Sequence, residues 1–164
     1  MTIFVKNKHT LQIDEFKFKC SIGKNGTTKH KKEGDKKTPR GLFEVENLYF
    51  RKDRKEKPLT LLKCIEIKKN MGWSDDINNL KIYNKLITIK KNLKYEKLYR
   101  NDHKYDLLIP IKYNFTKPIR SKGSCIFIHL TKNYKPTAGC IALKKKDFII
   151  MLKIINQRTK IKIF

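Results

Sequence analysis

Apolar and polar residues alternate at the start of the chain. "TIFVKNKHTLQI" reads as two short strands around the polar turn Asn7-Lys8-His9, a hairpin signal. "FKFKCSIG" alternates from Phe16 to Ile22 and stops at Gly23, as a half-buried strand does. Lys24 to Gly41 is polar, with three glycines and a proline, and reads as a long loop. "LFEVENLYF" resumes the alternation as one strand. From Arg51 to Arg100 the period is lost. Turn residues and short apolar pieces predict loops, short strands and at most one short helix, forming a lid or insertion at about 51–104.

Order returns with "YDLLIPIKYN", Tyr105 to Asn114, a strand whose Pro110 points to a sheet edge or a bulge. "SCIFIHL" and "GCIAL" are short apolar runs that suit buried strands. "KKKDFIIMLKIINQ" is the clearest helix. Phe148, Ile149, Met151, Leu152, Ile154 and Ile155 recur at helical spacing and leave a lysine-rich outer face. "TKIKIF" closes the chain as a strand. No repeat or linker interrupts the pattern. The expectation is one mainly β domain with a late α-helix, a β-sandwich or barrel-like fold.

At 164 residues the chain is long enough to bury one core. Its net charge of +25 admits three readings. A basic chain binds nucleic acid, or an anionic envelope polymer, by counterion release. Drift in an AT-rich genome also enriches Lys, Ile and Asn. The lysines are scattered with no compact basic block, and most aromatics alternate into core positions. Both features argue against nucleic acid. No run of about 18 apolar residues predicts a membrane helix. "MTIFVKNKHTLQ" lacks a signal peptide's apolar core. The expectation is a mature or trimmed chain, a protein that stays inside, or another export route.

Cys20, Cys64, Cys125 and Cys140 have irregular spacing, neither a disulfide framework nor a CxxC zinc pair. Three of them read as small buried hydrophobes. Cys140 differs, because Ala138 and Gly139 precede it and leave little bulk in a substrate's path. Gly139 also takes backbone angles other residues avoid. A nucleophile also needs backbone N–H groups aimed at the developing oxyanion. His129 would serve as base if two adjacent strands bring it beside Cys140. Three readings stay open on these residues: a Cys/His nucleophile, a structural thiol, and metal ligation through Cys125, His129 and Cys140. His9, His30 and His103 sit among polar residues and read as exposed. The Gly34 to Gly41 loop lacks the Gly-Lys-Ser/Thr ending of a phosphate cradle and reads as a structural turn.

His129 followed by Thr137-Ala138-Gly139-Cys140 resembles the signature of the L,D-transpeptidase catalytic domain, the YkuD type, in which a histidine precedes Ser/Thr-x-Gly-Cys. "KKEGDKKTPRGLFEV", Lys31 to Val45, is similar to the Gly-Asp-x-x-Thr-Pro-x-Gly-x-Phe element near the start of such domains. "CSIGKNG" and "TKIKIF" sit where such a domain has strands, so the resemblance covers nearly the whole chain. The chain departs where many members carry a second histidine, here Ala138. It departs again after the cysteine, where Ile141, Ala142 and Leu143 replace an arginine or asparagine. It looks closer to a divergent branch with Thr-x-Gly-Cys and Trp and Tyr-Asn elements ("GWSDD", "IYNK"). That branch includes enzymes proposed to make unusual cross-links or to hydrolyse amides.

The resemblance implies acyl transfer on peptidoglycan stem peptides in the bacterial periplasm or envelope, with no cofactor and no metal. Cys140 would be the nucleophile, His129 the general base and then acid, and the backbone N–H groups of Gly139 and Cys140 the oxyanion hole. Thr137 would contact substrate, and in the irregular insertion Arg51, Trp73, Tyr83, Asn84 and Arg100 either pack as ordinary surface or line a groove for a carboxylate-bearing peptide, with arginine pairing to carboxylate. A hydrolase on the same fold and a non-enzymatic basic β domain are the alternatives.

Overall fold

The computed structural model describes residues 1–164. The N-terminal alternation forms β1 (Thr2–Asn7), β2 (Thr10–Ile13) and β3 (Phe16–Ser21). Ile3, Val5, Leu11, Ile13, Phe18 and Cys20 turn inward and the intervening residues turn out. The polar loop holds only a two-residue ladder, β4 (Thr27–Thr28) beside β5 (Thr38–Pro39). The next segment is not one strand. It divides into β6 (Gly41–Glu44) and β7 (Leu48–Phe50), which lie far apart in the sheet. At the break, the Glu46 amide donates to the Pro110 carbonyl oxygen.

Residues 51–104 contain no helix. They supply β8 (Cys64–Glu66), β9 (Met71–Ser74), β10 (Leu86–Thr88) and β11 (Tyr95–Lys97), the last three forming a small sheet with β9 central. There follow β12 (Leu107–Pro110), β13 (Phe127–Leu130), β14 (Ile141–Leu143), α1 (Lys145–Ile154) and β15 (Lys160–Ile163). One curled ten-stranded sheet runs β6-β15-β1-β2-β3-β14-β13-β12-β7-β8. The fold is mainly β with one late helix, as the sequence pattern predicts. Pro110 corrects one detail: β12 is an interior strand between β13 and β7, and Pro110 ends it. At a strand's end proline interrupts no continuing ladder.

Apolar side chains on one face of the sheet form the main core. Ile3, Leu11, Ile109, Ile128, Ile141 and Ile161 meet Phe148, Met151 and Leu152 of α1 there. A ten-residue helix is marginal on its own. Burying three such side chains contributes about 1.5–3 kcal/mol each, so packing holds α1 in place. Asp147 in its first turn and Lys153 in its last also oppose the helix dipole favourably.

The central strands are buried on both faces, which explains their continuous apolar runs. Tyr49, Leu108 and Phe127 point away from the main core into a second cluster with Ile67, Trp73, Leu98 and Tyr105. Residues of the 51–104 segment therefore cover the outer face of β7, β12 and β13. Cys140 belongs to that second cluster.

Candidate functional site

β13 and β14 run parallel and adjacent, with Ile128 opposite Ile141 and His129 opposite Ala142. Period-two alternation places Phe127 and His129 on one face of β13, toward the second cluster. Cys140 lies just before β14, and its Sγ accepts the Phe127 N–H (3.4 Å) and donates to the Cys125 carbonyl (3.1 Å). His129 and Cys140 border one cleft of about 640 Å³, a volume suited to a short peptide.

The turn around Cys140 is tightly determined. Gly139 has φ +144°, and a Cβ there would sit 2.9 Å from the Lys37 carbonyl oxygen and 3.3 Å from Ile126 Cδ1. Only glycine fits. The Gly139 carbonyl accepts the hydroxyl of buried Thr38 (2.8 Å), which also accepts the Gly23 N–H (2.9 Å). Thr137 Oγ1 donates to the Cys140 carbonyl (2.6 Å) and accepts the Gly139 N–H (3.1 Å). The Gly139 amide is thus committed within its own turn, and Thr137, although it lines the cleft, is committed to holding that turn. The Cys140 amide makes no hydrogen bond. Of the two amides expected to receive an oxyanion, Cys140's is the one left free.

His129 Nδ1 lies 2.9 Å from the Leu130 carbonyl oxygen. A carbonyl only accepts, so Nδ1 carries the proton and Nε2 is left as the basic lone pair. Burial lowers the His129 pKa to about 4. Burial, reinforced by Glu96, pushes the Cys140 thiol up to about 12, against smaller opposing effects of the Phe127 N–H and Lys31. The resting site holds a neutral imidazole and a neutral thiol. This pair suits proton transfer in step with nucleophilic attack better than a standing ion pair.

Tyr105 supports this centre. Its ring packs edge-on against both His129 (5.4 Å between centroids) and Phe127 (5.8 Å). Its hydroxyl donates to Glu96, and the Arg100 guanidinium lies 5.1 Å from the ring centroid. Glu96, Arg100, Asp75 and His103 all line the cleft. Asp75 Oδ1 and His103 Nε2 are buried there without a hydrogen-bond partner. Burial raises the Asp75 pKa, with Glu33 adding to it, and lowers that of His103. His103 is half-buried, not exposed as its polar neighbours suggested; His9 and His30 are exposed.

Four residues expected to contact substrate lie elsewhere. Arg51 is buried, bidentate to Asp53 (2.8 and 2.7 Å), bonded to the Arg100 carbonyl (2.6 Å) and stacked on Tyr99 (3.4 Å to the centroid). Trp73 fills the second cluster and donates Nε1–H to Asn84 Oδ1 (2.9 Å). Asn84 Oδ1 also accepts the Cys125 N–H (3.1 Å), and its amide donates to the Tyr113 and Asn114 carbonyls. The buried Tyr83 donates to Glu33 Oε2 (2.6 Å). None of the four lines the cleft. Asn84 instead fixes the turn at Cys125, a residue in left-handed conformation (φ 54°) whose carbonyl anchors Cys140.

The metal alternative also changes. Cys125 Sγ points to the Trp73 carbonyl (3.8 Å), and no group of three or more His, Cys, Asp or Glu side chains is arranged to hold an ion. The geometry instead suits the class of proteins that present a buried thiol and a neutral imidazole to a peptide-sized cleft. The family model of the L,D-transpeptidase catalytic domain, YkuD, matches residues 1–163, and the chain belongs to that family. No curated protein matches it. Among solved structures, an L,D-transpeptidase from Mycobacterium smegmatis is similar at TM-score 0.44 and 12% identity. The match covers 99% of this chain and 57% of that one.

Proposed function

We propose that residues 1–164 act as a single catalytic domain, with 51–104 as its insertion, and transfer acyl groups between peptidoglycan stem peptides through a thioester on Cys140. The observation that carries this reading is the 2.9 Å contact between His129 Nδ1 and the Leu130 carbonyl oxygen. With Nδ1–H held by Leu130, the basic Nε2 belongs to a side chain bordering the same cleft as the Cys140 thiol.

Cys140 Sγ attacks a peptide carbonyl carbon, and its proton passes to His129 Nε2. The carbonyl oxygen becomes an oxyanion that takes the free Cys140 N–H. The intermediate collapses, the C–N bond breaks, and Nε2 returns the proton to the leaving amine. The amine of a second stem peptide then attacks the thioester carbonyl and loses a proton to Nε2; the C–S bond breaks as the new amide forms, and Nε2 gives that proton to the Cys140 sulfur. Asp75, Arg100 and His103 are the cleft residues placed to meet the charged groups of such peptides. A net charge of +25 favours the anionic bacterial envelope as the working surface. No helix is long and apolar enough to cross a membrane.

Incubation with defined disaccharide-peptide muropeptides, read by mass spectrometry, tests the assignment. A cross-linked dimer supports transpeptidation. A trimmed monomer assigns the same centre to a hydrolase, with water resolving the thioester. Unchanged muropeptides reject both.

A further inference from the structure

Of 40 lysines and arginines, only Lys31 and Arg51 are buried. Arg51 is matched bidentately by Asp53. Lys31, 3% exposed, lines the cleft of Cys140. Its Nζ donates to Asp35 Oδ1 (2.6 Å) and to the Lys32 carbonyl (2.8 Å), two of an ammonium's three N–H groups. Its stem fills space left by two glycines. A Cβ on Gly123 (φ +98°) would sit 2.9 Å from Lys31 Cγ and 3.3 Å from Nζ. One on Gly139, the neighbour of Cys140, would sit 3.7 Å from Lys31 Cε. Burying an ammonium is costly until its partners compensate. A loop tie alone would be made as well at the surface, where nearly all the other lysines lie.

We propose that Lys31 is a positioning residue of the thiol centre, whose buried ammonium, led past Gly123 and Gly139 into the cleft, holds positive charge toward the Cys140 thiolate and the oxyanion formed there. The inference rests on Cys140 being the nucleophile. The other cations of the cleft, Lys36, Arg100, Lys104, Lys132 and Lys135, are exposed or half-buried, and the imidazole of His129 is neutral. Glu96 and the ionised forms of Tyr105 and Cys125 disfavour a second negative charge, whereas the Phe127 N–H favours it. Lys31 is the cation among the groups acting on the thiol. Asp35 holds it in place, accepting also the Lys32 and Lys37 amides (2.8 and 2.9 Å).

The test is the pH profile of Cys140 alkylation by iodoacetamide, read by peptide mass spectrometry, with Cys140→Ala as blank. Lys31→Met is expected to slow alkylation about two- to threefold at pH 8, since thiolate falls tenfold per pKa unit and Lys31 is the smallest of the effects on this thiol. Asp35→Asn keeps the shape but removes the counter-charge, and is expected to speed it. A merely structural ion pair would make both variants move the profile the same way, which overturns the proposal. So does a folded Lys31→Met with the wild-type profile. If Lys31→Met does not fold, Asp35→Asn decides alone: faster alkylation supports the proposal, and unchanged or slower alkylation overturns it. Muropeptide turnover separates this from the parent assignment. If Lys31 has no such role, turnover persists while the profile stays still. If the acyl-transfer assignment fails, turnover is absent whatever the profile does.

Discussion

The hydroxyl of Thr38 donates to the carbonyl oxygen of Gly139 at 2.8 Å, joining residues 101 positions apart. The bond ties the Thr-Pro-x-Gly loop to the turn that presents Cys140. Thr38 is fully buried and also accepts the Gly23 N–H, so its hydroxyl satisfies two backbone groups. Thr38→Val keeps the shape and leaves both orphaned. We expect a stability loss of about 2–3 kcal/mol in denaturant titration and slower Cys140 alkylation. Wild-type alkylation in a destabilised Thr38→Val would show that this bond serves the fold alone.

Asn84 should matter more to the turn than to substrate. Its side chain joins Trp73, Cys125, Tyr113 and Asn114. Asn84→Leu strands four polar groups and is expected to cost on the order of 3–5 kcal/mol. Arg51→Met likewise should lower the unfolding midpoint, by removing the partner of Asp53 and the stack on Tyr99. It should leave KM for a muropeptide within about twofold, because Arg51 does not line the cleft. A large KM increase at wild-type stability would return Arg51 to the substrate site.

His129 makes the pH dependence specific. Its folded pKa, about 4, lies below the ordinary value of 6.5. Between those values the unfolded chain binds more protons, so stability is full above pH 6.5 and is lost as pH falls toward 4. The neutral variant His129→Gln should show a shallower fall in Tm over that window. Equal slopes in the two proteins would contradict a buried neutral imidazole.

Which parts were legible in the sequence follows from where the signal is local. Alternation in β1 to β3 and the helical period of α1 mark faces that pack on one side, so spacing alone reveals them. "LFEVENLYF" alternates without a break, yet it divides because the Glu46 amide bonds to Pro110, a partner more than 60 residues on. The spacing of His129 and Cys140 was legible as a motif, but their nearness was not: parallel neighbours need a crossover, and the register of β13 beside β14 is set by tertiary pairing. The insertion hides its logic. Arg51, Trp73 and Asn84 look like recognition residues in sequence, but Trp73 packs on the second face of the sheet, Asn84 braces the Cys125 turn and Arg51 ties Asp53 to the Arg100 carbonyl. His103 and Lys31 sit in polar stretches, and only tertiary packing brings them to the cleft.

The most direct test of the central claim is trapping of the acyl-enzyme. Wild-type protein is mixed with a donor muropeptide, quenched in acid, and its peptides are mapped by mass spectrometry. One thioester adduct is expected, on Cys140, which disappears when an acceptor amine is added, and none in Cys140→Ala. An adduct on Cys125, or muropeptide turnover retained by folded Cys140→Ala, would contradict it.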